Sequence, residues 1–233
     1  MTTPEEIVPG VYGISLAPIV NAFVVTGEEG VTLVDTGVAK RASDITAALR
    51  DIGRSHIDTI ALTHHHPDHR GGAAALKGSA PVYVHRLDAD VVRGDRPPPG
   101  PAVGGAKGML IRAAQPLSRV VAGDPAPVPV HAEIGDGDVV PGGLQAVHTP
   151  GHTAGHVSYL FSSRRLLFVG DAAQNRKGLA LPPAFFTEDM AQAKTTLAKI
   201  AALDFDVAVF GHGVVLKGTA NTEFRKLVDR LAA

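Results

Sequence analysis

The feature that most constrains the fold is a run of six residues, His64-His65-His66-Pro67-Asp68-His69, directly after the apolar segment Thr59 to Thr63. A short apolar segment with polar residues at its end predicts a buried strand. The four histidines and the aspartate at this strand end need partners, because a buried polar group without a partner is costly. The chain must therefore fold so that this strand end meets other polar groups.

The spacing H-x-H-x-D-H is typical of a metal centre. In an extended segment His64 and His66 point to the same side, while the histidine between them points the opposite way. These two can share one ion, and Pro67 breaks the strand so that Asp68 and His69 turn toward a second. Imidazole nitrogen and carboxylate oxygen are good zinc ligands, and a rigid turn reduces the entropy lost when they converge. A purification tag would be terminal and uninterrupted, whereas this cluster is internal.

Further ligands must come from elsewhere, since one strand end cannot close two metal sites. Three candidates follow later predicted strands: His152, Asp171 and His212. The glycines and proline around them allow close approach to an ion. His156 lies four residues after His152, but the same glycines and proline argue against a helix that would pair the two. We expect His156 to support the site from behind a ligand, with a purely structural histidine as the alternative.

Short strands and helices alternate along the rest of the chain. Strands are predicted at 11–15, 22–26, 31–34, 59–63, 82–84, 144–147, 157–161, 166–169 and 207–210. Helices are predicted at 42–52, in a short Ala/Leu segment after residue 72, at 189–203 and at 222–231. The segments Val31–Asp35 and Leu166–Asp171 are both apolar strands that end in a carboxylate, which suggests two similar halves or a chance match.

The segment from Arg86 to His131 has a different composition, with eight of the chain's 17 prolines. We interpret it as a lid or substrate loop on a single domain covering residues 1–233, with a disordered linker as the alternative. Met109 to Ile111 are candidate apolar wall residues within this lid. Phe185 and Phe186 are candidates for the opposite wall, although packing in the core would explain them equally well.

Composition excludes several classes of protein. The chain has no cysteine, so disulfides, thiolate zinc sites and thiol nucleophiles are excluded. A formal charge of −1 gives no general reason to expect nucleic acid or a membrane surface as a partner. No signal peptide pattern is visible, and no apolar run approaches the roughly 18 residues of a spanning helix. We expect a soluble cytoplasmic protein with a small-molecule substrate, either a monomer or a homodimer.

Together these motifs resemble those of the metallo-β-lactamase superfamily. The resemblance extends from about residue 7 to 215 and rests on five motifs in family order. These are Val34-Asp35-Thr36-Gly37, H-x-H-x-D-H at 64–69, T-P-G-H-T-A-G-H at 149–156, Gly170-Asp171 and Gly211-His212-Gly213. The resemblance implies an α/β fold, a four-layer αβ/βα sandwich with its site at the edges of two β-sheets.

The resemblance also implies a division of the ligands between two metal ions. The first ion would be held by His64, His66 and His152, the second by Asp68, His69 and His212, with Asp171 bridging both. Asp35 would be a carboxylate that orients a ligand histidine, with an ordinary strand-end aspartate as the alternative. Two zinc ions (Zn2+) are expected, while iron or manganese would suit the same donors. The remaining histidines are expected to be structural or solvated: His56, His65, His85, His131 and His148.

The implied activity is hydrolysis by a hydroxide shared between the two metals, with Asp68 both a ligand and the group that handles the proton. True β-lactamases of the superfamily carry cysteine or serine where this chain has Asp171, so penicillin hydrolysis is not expected. Aspartate is typical of the glyoxalase II, lactonase and phosphodiesterase branches. Only about 20 residues follow His212, so the glutathione-binding helical extension of glyoxalase II is not expected. Small esters, lactones or other thioesters are the favoured substrates.

Two alternatives from other classes stay open. A phosphodiesterase or nuclease would use the same ligands, but such relatives commonly add a basic arm or an extra domain. A mononuclear iron dioxygenase for persulfides would use a subset of the ligands, and the nitrogen and oxygen donors do not exclude iron.

Overall fold

The computed structural model describes residues 3–16, 20–99 and 125–232, and two β-sheets form its centre. The first sheet has seven strands in chain order: β1 (Glu5–Val8), β2 (Val11–Leu16), β3 (Val20–Gly27), β4 (Gly30–Val34), β5 (Thr59–Ala61), β6 (Val82–His85) and β7 (Ala132–Ile134). The second has five, namely β8 (Val139–Val140), β9 (Leu144–His148), β10 (Val157–Phe161), β11 (Leu166–Gly170) and, beyond β11 at the edge, β14 (Val207–Phe210). A separate hairpin joins β12 (Gln174–Asn175) to β13 (Leu179–Ala180).

Helices cover the outer faces of the two sheets. They are α1 (Ala42–Asp51), α2 (Pro67–Arg70), α3 (Ala73–Leu76), α4 (Arg86–Arg93), α5 (Met190–Ala201) and α6 (Ala220–Ala232). Two of these helices, α4 and α5, have a side-chain cap at the N-terminus. The His85 ring accepts a hydrogen bond from the Leu87 amide, and the Asp189 carboxylate accepts one from the Gln192 amide. α1 buries Ile45, Ala48 and Leu49, which recur at helical spacing on one face.

Three apolar clusters show how the layers stack. In β3 the side chains alternate, so that Val24 packs toward α1 and the neighbouring Phe23 packs toward the second sheet. Phe23 meets Phe168 of β11 edge-to-face, with ring centroids 5.6 Å apart. A third cluster holds Leu197 and Phe224 of α5 and α6 against the other face of the second sheet. The order helix, sheet, sheet, helix confirms the four-layer α/β sandwich.

Parallel pairing brings the carboxyl ends of strands to one edge. β4, β5 and β6 are mutually parallel, and β11 is parallel to β14. The two sheets are joined at this edge by hydrogen bonds from the Tyr159 hydroxyl to the Leu62 carbonyl (2.9 Å) and from Asn21 N to the Gly211 carbonyl (2.8 Å). Residues that follow these strands therefore gather at the meeting point of the sheets.

All nine predicted strands and all four predicted helices are confirmed, with boundaries that shift by a few residues. The structure differs at the start of the predicted lid, because Arg86–Arg93 forms α4 rather than a loop. Ala89, Val91 and Val92 are buried on that helix, which explains why it packs instead of covering the site. Val128 is also buried and donates its amide to the Val92 carbonyl (3.1 Å). Met109 to Ile111 lie outside the described residues.

The alternative of core packing for Phe185 and Phe186 is wrong, since these side chains are 42% and 58% exposed. They lie on a 3-10 helix, Ala184–Phe186, between β13 and α5. Among the helices that the structure describes, none has the length and apolar character needed to cross a membrane.

Candidate metal centre

The seven predicted ligands come from four chain segments that meet at the sheet edge. His64 and His66 follow β5, and Asp68 and His69 lie in α2, which Pro67 begins. Proline favours the first position of a helix because its fixed φ is already helical and no amide hydrogen is missed there. The later segments follow β9, β11 and β14 and carry His152, Asp171 and His212.

The ligand atoms form three overlapping groups, in each of which all atoms lie within 4.8 Å of one another. The groups are His64 with His66 and His152, Asp68 with His69 and His212, and His64 with His69 and Asp171. Asp171 Oδ2 lies 3.4 Å from His152 Nε2 and 3.1 Å from His212 Nε2. Two donors about 2.0–2.2 Å from one tetrahedral zinc ion would lie roughly 3.3–3.6 Å apart. The separations around Asp171 are close to those that shared ions require.

Three buried polar atoms at the centre of the cluster lack a hydrogen-bond partner among the residues that the structure describes. They are His64 Nε2, His69 Nε2 and Asp171 Oδ1. Each such atom costs on the order of 1–3 kcal/mol if nothing satisfies it. Because these are lone-pair donors that face one another across a short gap, a cation would satisfy all three. The residues present therefore fit a bound metal.

Asp35 fixes the orientation of His69. Its Oδ2 lies 2.7 Å from His69 Nδ1, and its Oδ1 accepts a hydrogen bond from the Thr63 amide (2.8 Å). A proton on Nδ1 is then donated to Asp35, which leaves the Nε2 lone pair directed at the cluster. Asp35 adopts a φ of 57°, uncommon for a residue with a Cβ, and its several hydrogen bonds maintain this strained conformation.

A similar chain of hydrogen bonds sets the tautomer of His64. The Thr63 hydroxyl donates to Asp35 Oδ2 (2.8 Å), so its oxygen accepts from His64 Nδ1, 3.0 Å away. His64 Nε2 then keeps its lone pair for the cluster. His152 is held in the same manner, since the Thr187 hydroxyl donates to the Pro183 carbonyl and lies 3.4 Å from His152 Nδ1.

His156 lies behind Asp171 and is not part of any of the three groups. Its Nε2 accepts a hydrogen bond from the Asp171 amide (2.9 Å), and its Nδ1 lies 2.8 Å from the Thr149 hydroxyl. Burial lowers the pKa of His156 to about 3, so the ring is neutral and can accept. The side chain thus fixes the backbone of Asp171 through this hydrogen bond.

The electrostatics of the cluster favour a cation. Burial and the neighbouring histidines lower the pKa values of His64 and His152 well below the ordinary range and that of His66 to about 4. These rings are neutral and carry free lone pairs, the form in which histidine binds a metal. Burial alone would raise the pKa values of Asp68 and Asp171, yet the adjacent imidazoles hold both well below the usual range.

In the group of Asp68, His69 and His212, the pKa values of the histidines are raised instead of lowered. Burial alone would lower the pKa values of His69 and His212, but the surrounding carboxylates raise the first well above its ordinary value and the second to about 9. A proton on these rings balances the carboxylates where a metal ion would otherwise do so. Asp68 is the most exposed of the acidic ligands, with 28% of its side chain accessible.

Position 211 requires glycine because the side chains of two predicted ligands approach its backbone closely. A Cβ there would overlap Asp171 Oδ1 and the ring of His69. Any side chain at this position would push apart two ligands that belong to different segments. The glycine directly before His212 is thus explained by the lack of space for a side chain.

The remaining histidines have other surroundings. His56 is exposed and lies 3.2 Å from Asp58, and the His85 ring stacks on His148 with centroids 4.1 Å apart. His131 is exposed and near Tyr83, with ring centroids 5.8 Å apart. Within the described ranges none of these belongs to a candidate metal group.

Sequence reasoning missed several residues that hold the ligands in place. The hydroxyls of Thr63, Thr149 and Thr187 each contact a histidine ring. Asp88 contacts His65, and Asn21 donates its side-chain amide to the Phe210 and Gly213 carbonyls on either side of His212. The threonines directly before His64 and within T-P-G-H-T offered a local signal, but Asn21 and Asp88 are distant in sequence from the residues they contact.

The site and the fold together define a family. The chain belongs to the metallo-β-lactamase superfamily, whose model matches residues 17–212. It is 28% identical to the probable metallo-hydrolase YflN of Bacillus subtilis, a match that covers 98% of this chain and 93% of that protein. It is also 28% identical to hydroxyacylglutathione hydrolase of Aeromonas hydrophila, over 81% of this chain and 58% of that protein.

Solved structures share the fold. A metallo-β-lactamase from Cronobacter sakazakii superimposes with a TM-score of 0.73 at 22% identity, covering 100% of this chain and 96% of that one. At this identity the likeness concerns the fold and carries no inference about substrate.

Proposed function

We propose that the protein is a binuclear zinc hydrolase that acts on a small ester, lactone or thioester. The observation that carries the proposal is the position of Asp171 between two ligand groups, with Oδ2 3.4 Å from His152 Nε2 and 3.1 Å from His212 Nε2. Two ions sharing one carboxylate would satisfy the unpaired nitrogen atoms of His64 and His69 at the same time. When bound, the zinc ions supply an acidified water molecule and polarise the carbonyl oxygen of the substrate.

The side chains of the chain itself have distinct tasks in this proposal. Three histidines would hold one ion, His69 and His212 would hold the other with Asp68, and Asp35 would keep His69 in the required tautomer. Asp68 stays ionised at neutral pH because the adjacent imidazoles lower its pKa. Its partly accessible carboxylate can accept the proton of the attacking water and pass it to the leaving group.

The side chain at position 171 also argues against penicillin hydrolysis, since true β-lactamases carry cysteine or serine at the corresponding place. The relative named hydroxyacylglutathione hydrolase supports a thioester substrate, and the one named probable metallo-hydrolase supports metal-dependent hydrolysis. A small-molecule substrate, rather than nucleic acid, is part of the proposal.

A substrate panel with metal analysis tests the function. The protein as purified should contain two zinc ions per chain and should hydrolyse members of a lactone and thioester panel in preference to phosphodiesters. One iron per chain with oxygen-dependent persulfide turnover, or activity on phosphodiesters alone, would refute the proposal.

Two ligand variants test the site. Asp68→Asn and His66→Ala should each abolish turnover, because each removes a donor from one ion, while circular dichroism stays unchanged. His56→Ala is the matched control, since this exposed histidine contacts Ser55 and Asp58, neither of which belongs to a candidate metal group. Wild-type turnover in both ligand variants would show that chemistry occurs elsewhere.

A further inference from the structure

Asp88 is a buried carboxylate that the proposed chemistry does not use. It lies in the first turn of α4 and is 1% exposed. Burial alone would raise its pKa, but hydrogen bonds from His65 and Thr153 lower the pKa to about 2. An ionised carboxylate is costly to bury unless donors surround it, so the arrangement around Asp88 needs an explanation.

The donors to Asp88 come from two different loops. Oδ2 accepts hydrogen bonds from the His65 amide (3.0 Å) and the Thr153 hydroxyl (2.9 Å), and it lies 3.0 Å from His65 Nδ1. Oδ1 accepts a hydrogen bond from the Gly155 amide (2.9 Å). A Cβ at position 155 would overlap this carboxylate, so glycine permits the close approach. The Asp88 side chain is therefore hydrogen-bonded to both loops.

Each loop carries ligands of the same metal. His65 lies between His64 and His66, and Thr153 directly follows His152. These three ligands form the three-histidine group, in which His66 Nδ1 lies 2.9 Å from His152 Nε2. The hydrogen bonds of Asp88 thus span the gap across which this group must be assembled.

The ligands of the other group are held by different residues. His69 is oriented by Asp35, and the loop of His212 is fixed by the side-chain amide of Asn21, which donates to Phe210 O (3.0 Å) and Gly213 O (2.9 Å). None of the hydrogen bonds described for Asp88 goes to these residues. Removing Asp88 should consequently affect the two metal sites unequally.

We propose that Asp88 is a positioning residue that sets the distance between the His64–His66 pair and His152 and so determines the metal affinity of the three-histidine site. The inference rests on the binuclear centre proposed above. It predicts that this affinity can be changed while the affinity of the Asp68–His69–His212 site stays the same.

The test is Asp88→Asn, which preserves the size of the side chain. An amide keeps one accepting oxygen and places a second donor against either Gly155 N or the His65 and Thr153 donors. Metal-free protein is titrated with zinc in competition with a chromophoric chelator. Loss of a partner behind the ligands typically weakens metal binding about 10–100-fold, and we expect that loss at one site only.

Reference variants identify the sites and test for general damage. His66→Ala and Asp68→Asn each disable one site, so the remaining affinity in each belongs to the other. Asp136→Asn is the matched control, because Asp136 Oδ1 accepts from the His148 amide (2.7 Å) and from Lys199 (2.7 Å) near the same loop. The control should leave both affinities unchanged. Equal weakening of both sites by Asp88→Asn, or no weakening, would overturn the inference.

A second pair of variants decides the matter if Asp88→Asn does not fold. Thr153→Val removes one hydrogen bond to Asp88, and Thr153→Ser restores the hydroxyl. We expect a smaller, site-selective loss with valine and recovery with serine, whereas equal values in the two variants would overturn the inference. These readouts are separate from catalysis: two zinc ions with selective loss but no turnover would refute only the proposed hydrolase.

Discussion

Replacing Asp35 by asparagine is the sharpest test of how the site is organised from behind its ligands. The carboxylate accepts from Thr63 N, Thr63 Oγ1 and His69 Nδ1 at 2.8, 2.8 and 2.7 Å. The amide can still accept from the Thr63 backbone through its oxygen. Its nitrogen then lies at the position of Oδ2 and meets the N–H of His69, donor against donor.

The magnitude follows from the bond that is lost. A hydrogen bond to a charged group contributes about 1.5–3 kcal/mol, equivalent to a factor of roughly 10–100 in an equilibrium constant. The loss is direct at His69 and reaches His64 only through the Thr63 hydroxyl, 3.0 Å from His64 Nδ1. Zinc affinity should thus fall about 10–100-fold at the Asp68–His69–His212 site and less at the three-histidine site.

The assay is the same zinc competition, which separates the two affinities. Asp58→Asn is the control, because Asp58 Oδ2 also accepts a backbone amide, that of Val31 (2.8 Å), away from the metal centre. An Asp35→Asn variant with wild-type affinity at both sites would refute the view that this carboxylate sets the tautomer of His69. A larger loss at the three-histidine site would refute the assignment of His69 as the direct partner of Asp35.

Two further predictions concern the surroundings of the site. Phe185→Ala and Phe186→Ala should raise KM for substrates with an apolar acyl group and leave zinc content unchanged, because these exposed rings directly precede a segment, Glu188 and Asp189, that is hydrogen-bonded to the His152 loop. Equal kinetics with polar and apolar substrates would contradict this. Burial and the adjacent His148 lower the pKa of His85 to about 4 in the folded protein. Between about pH 6.5 and 4 the His85 ring is therefore protonated in the unfolded state but neutral in the folded state, which favours unfolding as the pH falls. Metal-free protein should lose unfolding free energy over that window, and the His85→Asn variant, measured by urea denaturation, should lose less.

Much of the fold could be predicted because its strands are apolar and end at recognisable turns. The helix α4 was missed because it opens a proline-rich segment and because its buried face includes Asp88, a residue type that sequence reasoning assigns to the surface. The strands β8, β12 and β13 have two residues each, too few to show alternation.

Asp88 and Asn21 could not be predicted as supporting residues, unlike Asp35 and His156, for a different reason. The bonds of Asp88 reach 23, 65 and 67 positions along the chain, and no local spacing encodes such distances. The predicted ligands themselves are recognisable because four of them lie within six consecutive residues. Local patterns therefore indicate which donors exist, whereas tertiary packing decides how far apart they are held.

The alternation that brings His64 and His66 to the candidate metal centre also explains why Asp88 lies where it does. Since neighbouring residues of an extended segment face opposite sides, His65 faces away from the candidate metal centre and meets Asp88, while its neighbours meet His152. Asp88 binds the His65 amide as well as approaching its ring, so it fixes the backbone of the ligand segment. Asp35 acts on the same segment from its other end, through Thr63 and His69. Two buried carboxylates thus fix the position of one short loop, and we expect each of them to determine the metal affinity of a different site.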